Sequence, residues 1–129
     1  LLEKLAIFPD EVIRRNTAAD YYSNSLPVGY RAPIVPENYL SCWAQYSILI
    51  EADQERDRVI KKFTKKDIPV RIFYKIPLHL QQVFDYLGYK AGDFPVSEKT
   101  SENILSIPMH PYLQTSEQDQ VLEAFHEAM

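Results

Sequence analysis

Glycine is scarce in this chain of 129 residues, with Gly29, Gly88 and Gly92 standing well apart. A loop that cradles phosphate with successive backbone amides therefore has little to be built from. Cysteine is scarcer still: Cys42 alone excludes an intrachain disulfide framework and fits a reducing compartment. His79, His110 and His126 show no metal-ligand spacing with each other or with Cys42, so no metal site is expected. No apolar run approaches the roughly 18 residues that cross a bilayer, and no charged-then-apolar segment opens the chain. The expectation is a soluble, cytoplasmic protein with no membrane partner. The balance of 14 basic against 18 acidic residues gives a net charge of -4, and the 9 tyrosines lack basic interleaving, so nucleic acid is not an expected partner. Hydrolase signatures such as GxSxG, HExxH or paired carboxylates are missing. No repeat or low-complexity stretch suggests a solenoid or a flexible tail.

What is present suffices for one domain, since 46% of the residues are apolar. Residues 1–26 read as helix interrupted at Pro9, with Val12, Ala19, Tyr22 and Leu26 on one apolar stripe. The opening Leu1-Leu2-Glu3-Lys4-Leu5 has no initiator methionine and reads as helix interior, as expected of a fragment. Three prolines and a glycine make residues 27–36 extended chain with turns. Residues 41–50 carry the partial alternation of a strand, and Asp53 is placed to cap a helix over 54–66. On that helix Lys61, Lys62, Lys65 and Lys66 read as a solvated outer face.

The chain is organised around residues 70–82, VRIFYKIPLHLQQ. A strand over 70–74 passes through Pro77 into a helix whose Leu80, Val83, Phe84 and Leu87 follow an i, i+3, i+4, i+7 pattern, closed by Gly88. This junction gathers Phe73, Tyr74, Lys75, His79, Gln81 and Gln82, and unpaired donors there can face a ligand. The alternative is that Tyr74 and His79 fill or edge a core. Farther on, Ser97 reads as the cap of a helix to about 106, with a short strand over 107–110. Thr115 and Gln118 read as a capping box for a last helix that buries Val121, Leu122 and Phe125.

The stretch YKIPLHLQ at 74–81, together with LGYKAGDFPVSEKTSENILSIPMHPYL at 87–113 and SCWAQYSILI at 41–50, resembles the DegT/DnrJ-type sugar aminotransferases, pyridoxal-phosphate enzymes of fold type I. The likeness spans roughly residues 41–128. It implies an α/β (α+β) fold, the small C-terminal domain of such a transferase: a small, mainly antiparallel sheet covered by helices. A long interdomain helix over 1–26 would precede the small domain at 27–129. The large domain, which would supply the cofactor lysine, the carboxylate on the pyridine nitrogen and the phosphate donors, has no motif in this chain. The chain alone is therefore expected to bind no cofactor and to be inactive.

By the same resemblance, Tyr74, His79 and Gln81 fall on substrate-binding positions. Phe73 stands where many relatives have histidine. Trp43, Gln45 and Tyr46 match a subgroup acting on UDP-sugars, with core or dimer-interface roles as the alternative. Lys75 reads as a cation near substrate phosphate or carboxylate, or as an ordinary lysine. The implied whole enzyme is a homodimer moving an amino group from glutamate to a nucleotide-linked keto-sugar for surface polysaccharide or glycan synthesis. The alternative is a non-catalytic binding, regulatory or assembly module of the same fold.

Overall fold

The computed structural model describes residues 2–51 and 56–128. Its centre is a three-stranded antiparallel sheet, β1 (Tyr30–Arg31), β2 (Tyr46–Ile50) and β3 (Ile104–Ile107), in the order β1-β2-β3. The register pairs Tyr30 with Ile50, Tyr46 with Ile107 and Ile48 with Leu105. Because strand side chains alternate, these six apolar residues share one face, and all are buried. The other face carries Arg31, Ser47, Leu49, Ile104 and Ser106, with the Ser47 and Ser106 hydroxyls 2.7 Å apart across β2 and β3.

Three helices cover the apolar face: α1 (Leu2–Ser25), α2 (Arg56–Lys65) and α4 (Thr115–His126). Phe125 of α4 lies 4.4 Å from the Tyr30 ring and 4.7 Å, edge-on, from that of Phe63, while Tyr22 of α1 packs on Tyr46 at 5.3 Å. A fourth helix, α3 (Pro95–Asn103), lies against the opposite face beside Leu49. The apolar stripes expected on α1 and α4 are present: Ala19, Tyr22, Val121, Leu122 and Phe125 are all buried.

Several local expectations are corrected. Helix α1 runs unbroken through Pro9, which removes one N–H from an exposed turn whose orphaned carbonyl water can satisfy. The strand expected over 41–50 begins only at Tyr46, because Trp43 takes a left-handed φ of 46°. Beside β3, the strand expected over 70–74 shrinks to one bridge, Arg71 with Ser106, made by N–H···O bonds of 3.0 and 2.8 Å. Past it the chain turns at Phe73 and Tyr74, whose peptide bond is cis.

The helix expected through Leu80 and Leu87 is instead two 3-10 segments, Leu78–Leu80 and Gln82–Leu87, parted by an extended Gln81. Its apolar stripe is only half covered: Leu80 and Phe84 are half-buried, while Val83 and Leu87 are 68% and 50% exposed, and helical stripes are stabilised mainly by burial. Gly88 does close it, at φ 75°. Pro95 at the first helical position makes Phe94 the cap of α3, so Ser97 lies inside the helix. That helix ends at Asn103, and the strand follows at once over 104–107 instead of 107–110.

The cap of α4 is Gln114, one residue before the expected Thr115, and its N–H donates to Glu117 Oε2 at 2.8 Å. The cap expected at Asp53 lies outside the described residues. Half of the lysine run on α2 is not a free outer face. Lys66, one residue past α2, has its Nζ 2.6 Å from Oε1 of Glu127, the residue that ends α4, and Lys62 of α2 also points to Glu127, tying the ends of the two helices together. Glu11, only 2% exposed, accepts from Lys4 and from the Tyr112 hydroxyl, and these two donors hold its pKa below the ordinary value.

Two substitutions test this core. Phe125→Ala, which empties the space between Tyr30 and Phe63, is expected to lower the unfolding free energy by about 3–5 kcal/mol in chemical denaturation. The Tyr22 hydroxyl is buried with no hydrogen-bond partner among the described residues. Tyr22→Phe, which keeps the ring and removes the stranded hydroxyl, is expected to leave stability unchanged or raise it by about 1 kcal/mol.

Candidate functional site

The outer face of the sheet and the turn beyond Arg71 form two adjoining hollows that share Phe73. The first, about 260 Å³, has one wall from the turn, with Phe73, Tyr74, Ile76, Pro77, Leu78 and Gln81. Its other wall is α3, through Ser97, Thr100 and Ser101, with Ile104 behind. The second, about 360 Å³, is lined by Gln45, Arg71, Phe73, Ser106 and Met109, among others. Tyr74 is 70% exposed, so its hydroxyl and ring are open to a ligand.

Of the residues singled out from sequence, Phe73, Tyr74 and Gln81 come together in the first hollow, and Gln45 joins Phe73 in the second. Gln81 Nε2 donates to the Ile76 carbonyl at 3.3 Å, which holds that side chain across the turn. Lys75 lies exposed on the turn and lines neither hollow. Trp43 is buried; its indole N–H donates to Asn16 Oδ1 at 3.0 Å and its ring packs 5.3 Å from Tyr46. Arg15 and Asn16 of α1 also donate to the Trp43 and Ser41 carbonyls, so this segment is fastened to α1.

His79 lies behind the turn, its side chain 7% exposed. Nε2 is 2.9 Å from Glu98 Oε1 on α3, and the ring packs 4.7 Å from Phe94. The Glu98 carboxylate also accepts from the Gly92 N–H, at 2.9 and 3.0 Å to its two oxygens, and from the Phe94 N–H at 3.1 Å. These donors, the Gly92 amide foremost, hold its pKa below the ordinary glutamate value.

Two residues of this arrangement escape a reading of sequence. Arg71 reads as a rung of a strand, and only its pairing with Ser106 of β3 shows that it lines a hollow on the outer face. Glu98 had a signal: an acidic residue in the first turn of a helix, in position to accept backbone donors there.

The model of the DegT/DnrJ/EryC1/StrS aminotransferase family matches residues 1–126. The chain belongs to this family. Among similar proteins is the UDP-2-acetamido-2-deoxy-3-oxo-D-glucuronate aminotransferase of Pseudomonas aeruginosa, 32% identical over 90% of this chain and 31% of its own length. Another, named a pleiotropic regulatory protein, from Geobacillus stearothermophilus, is 40% identical over 57% of this chain and 20% of its own. A crystal structure of a DegT DnrJ EryC1 StrS aminotransferase from Brucella abortus is 40% identical and superposes with a TM-score of 0.88 over 98% of this chain and 33% of that one. The chain thus spans about a third of the length of the relatives that it matches over most of its own length.

Pyridoxal phosphate, the cofactor the family implies, does not fit the residues described here. The amides of Gly92 and Phe94 at the start of α3, which could take a phosphate, hold the Glu98 carboxylate. The first turn of α4 is likewise served by Glu117. Lys75 is exposed on a turn outside both hollows. What these residues offer is a polar and aromatic wall.

Glu98 provides a test of that wall's electrostatics. With its folded pKa lowered, it contributes stability above the ordinary glutamate value near 4.5, and this contribution fades as pH falls through the lowered value. Carboxyl NMR titration is expected to place its midpoint below 4.5; a midpoint at or above it contradicts the bonding described.

Proposed function

We propose that this chain is the C-terminal small domain of a pyridoxal-phosphate-dependent aminotransferase, with residues 1–26 as the helix leading from a large cofactor-binding domain and 27–129 as the small domain. The whole protein is then a cytoplasmic homodimer. It moves an amino group from glutamate to a keto-sugar carried on a nucleoside diphosphate, with UDP favoured, for surface polysaccharide or glycan synthesis. The observation that carries this reading is the pair of hollows joined at Phe73, in a chain that belongs to a family of aminotransferases.

Each hollow suits a different part of such a substrate. Tyr74, Gln81, Ser97 and Thr100 offer hydroxyl and amide groups beside apolar Phe73 and Ile104, the mixture that binds a sugar ring by its edges and faces. Arg71 and Gln45 offer a guanidinium fork and an amide where a diphosphate would lie. The work of this domain is to bind and orient the keto-sugar, which lowers the barrier by fixing the reacting carbon in place.

A second reading has support from the Geobacillus relative, which is named a regulatory protein. In it the same wall binds a ligand, and no amino group is transferred.

The test uses the whole gene product that contains this chain. It is incubated with glutamate and either UDP-2-acetamido-2-deoxy-3-oxo-D-glucuronate or a dTDP-linked 3-keto-sugar, and the aminated nucleotide sugar is measured by mass spectrometry. Amination, faster with the UDP-sugar, supports the proposal; binding of nucleotide sugar with no amination by a folded protein favours the regulatory reading. Arg71→Ala is expected to raise KM for the nucleotide sugar about tenfold or more, with KM for glutamate within about twofold.

A further inference from the structure

We propose that Glu98 is a positioning residue for sugar recognition, bracing the turn that carries Tyr74 and Gln81 against α3 through its contact with His79. The inference rests on the reading of the Tyr74–Gln81 hollow as a sugar site. The two walls of that hollow come from the turn and from α3. Within the turn the hydrogen bonds are local: Leu80 N–H to the Pro77 carbonyl, Gln81 N–H to that of Leu78, and Gln81 Nε2 to that of Ile76. Among the described residues the walls are joined by the 2.9 Å bond from His79 to Glu98 and by the His79 ring packed 4.7 Å from that of Phe94. Apolar packing at Ile76 and Leu78 adds little to it, since these residues of the turn are 52% and 66% exposed.

Glu98 suits this task because its carboxylate serves two segments at once. One oxygen accepts from His79, and both accept from the 92–94 loop, so the loop holds the carboxylate in the orientation that His79 meets. Phe94 repeats the join, with its amide on Glu98 and its ring against the His79 imidazole. An ionised carboxylate facing Nε2 makes that nitrogen the protonated one and fixes which way the ring is turned. Aspartate, one C–C bond shorter, cannot span both partners, and glutamine leaves a single acceptor oxygen where Glu98 uses two.

The experiment measures steady-state kinetics of the whole protein with nucleotide keto-sugar and glutamate for Glu98→Ala, Glu98→Gln, His79→Ala and the Glu98→Ala/His79→Ala double variant. Glu98→Ala is expected to raise KM for the nucleotide sugar about tenfold or more while KM for glutamate stays within about twofold. Glu98→Gln, which keeps an acceptor for the loop amides, is expected to fall between wild type and Glu98→Ala. It carries the comparison should the alanine variant not fold. If Glu98 acts through His79, the double variant stays within about twofold of His79→Ala. An unchanged KM in Glu98→Ala, or a double defect equal to the product of the single ones, overturns the proposal. Should the folded wild type aminate no nucleotide sugar, the sugar reading fails, and hydrogen exchange then reads the brace by itself. Amides 78–81 are expected to exchange at least about tenfold faster in both alanine variants, and unchanged rates overturn the brace as well.

Discussion

Phe125 wedged between Tyr30 and Phe63 is the contact on which the remaining architecture depends. It joins the edge strand, α2 and α4 at one point, and with Tyr22 on Tyr46 it makes an aromatic seal over one face of a sheet only three strands wide. A sheet this small cannot hold its shape by backbone pairing alone. Sealing one face fixes the twist and register of the strands, and so fixes where Arg71, Ser106 and Ile104 emerge on the other. The outer hollows are as well ordered as the inner packing makes them.

The two faces are built on different physics. Inside, stability comes from apolar area and ring geometry, with Gln118 Nε2 reaching the Ala18 carbonyl at 2.9 Å as a buried polar tie between α4 and α1. Outside, the turn and α3 meet through charge-assisted and backbone hydrogen bonds around Glu98, and large side chains such as Tyr74, Val83 and Tyr86 remain exposed.

How much could be read from sequence follows the same division. Where burial enforces a period, the period was legible: Tyr46, Ile48 and Ile50 on β2, Ala19 and Tyr22 on α1, and Val121, Leu122 and Phe125 on α4. Where burial is absent the pattern misleads. Leu80, Val83, Phe84 and Leu87 have helical spacing, yet Val83 and Leu87 stay exposed and the segment folds as two 3-10 turns. The two residues of β1 are too few to carry any pattern. At the site, Phe73, Tyr74 and Gln81 are close in sequence and stay close in space. Arg71 and Gln45 meet only through the pairing of β3 with the bridge at Arg71, and Glu98 gains meaning only once His79 is seen against α3. Such long-range meetings belong to the fold and leave little trace in local spacing.

Trp43 is the chain's one tryptophan, and it is buried on Tyr46 with its indole N–H held by Asn16 of α1. This chain therefore contains its own optical gauge of how α1 sits on the sheet. Light absorbed at Tyr46 can pass to this largely buried, hydrogen-bonded indole, whose emission is expected to move to the red when α1 lifts and water reaches the ring. Movement of the first helix relative to the sheet can be followed through that single chromophore, without attaching a label.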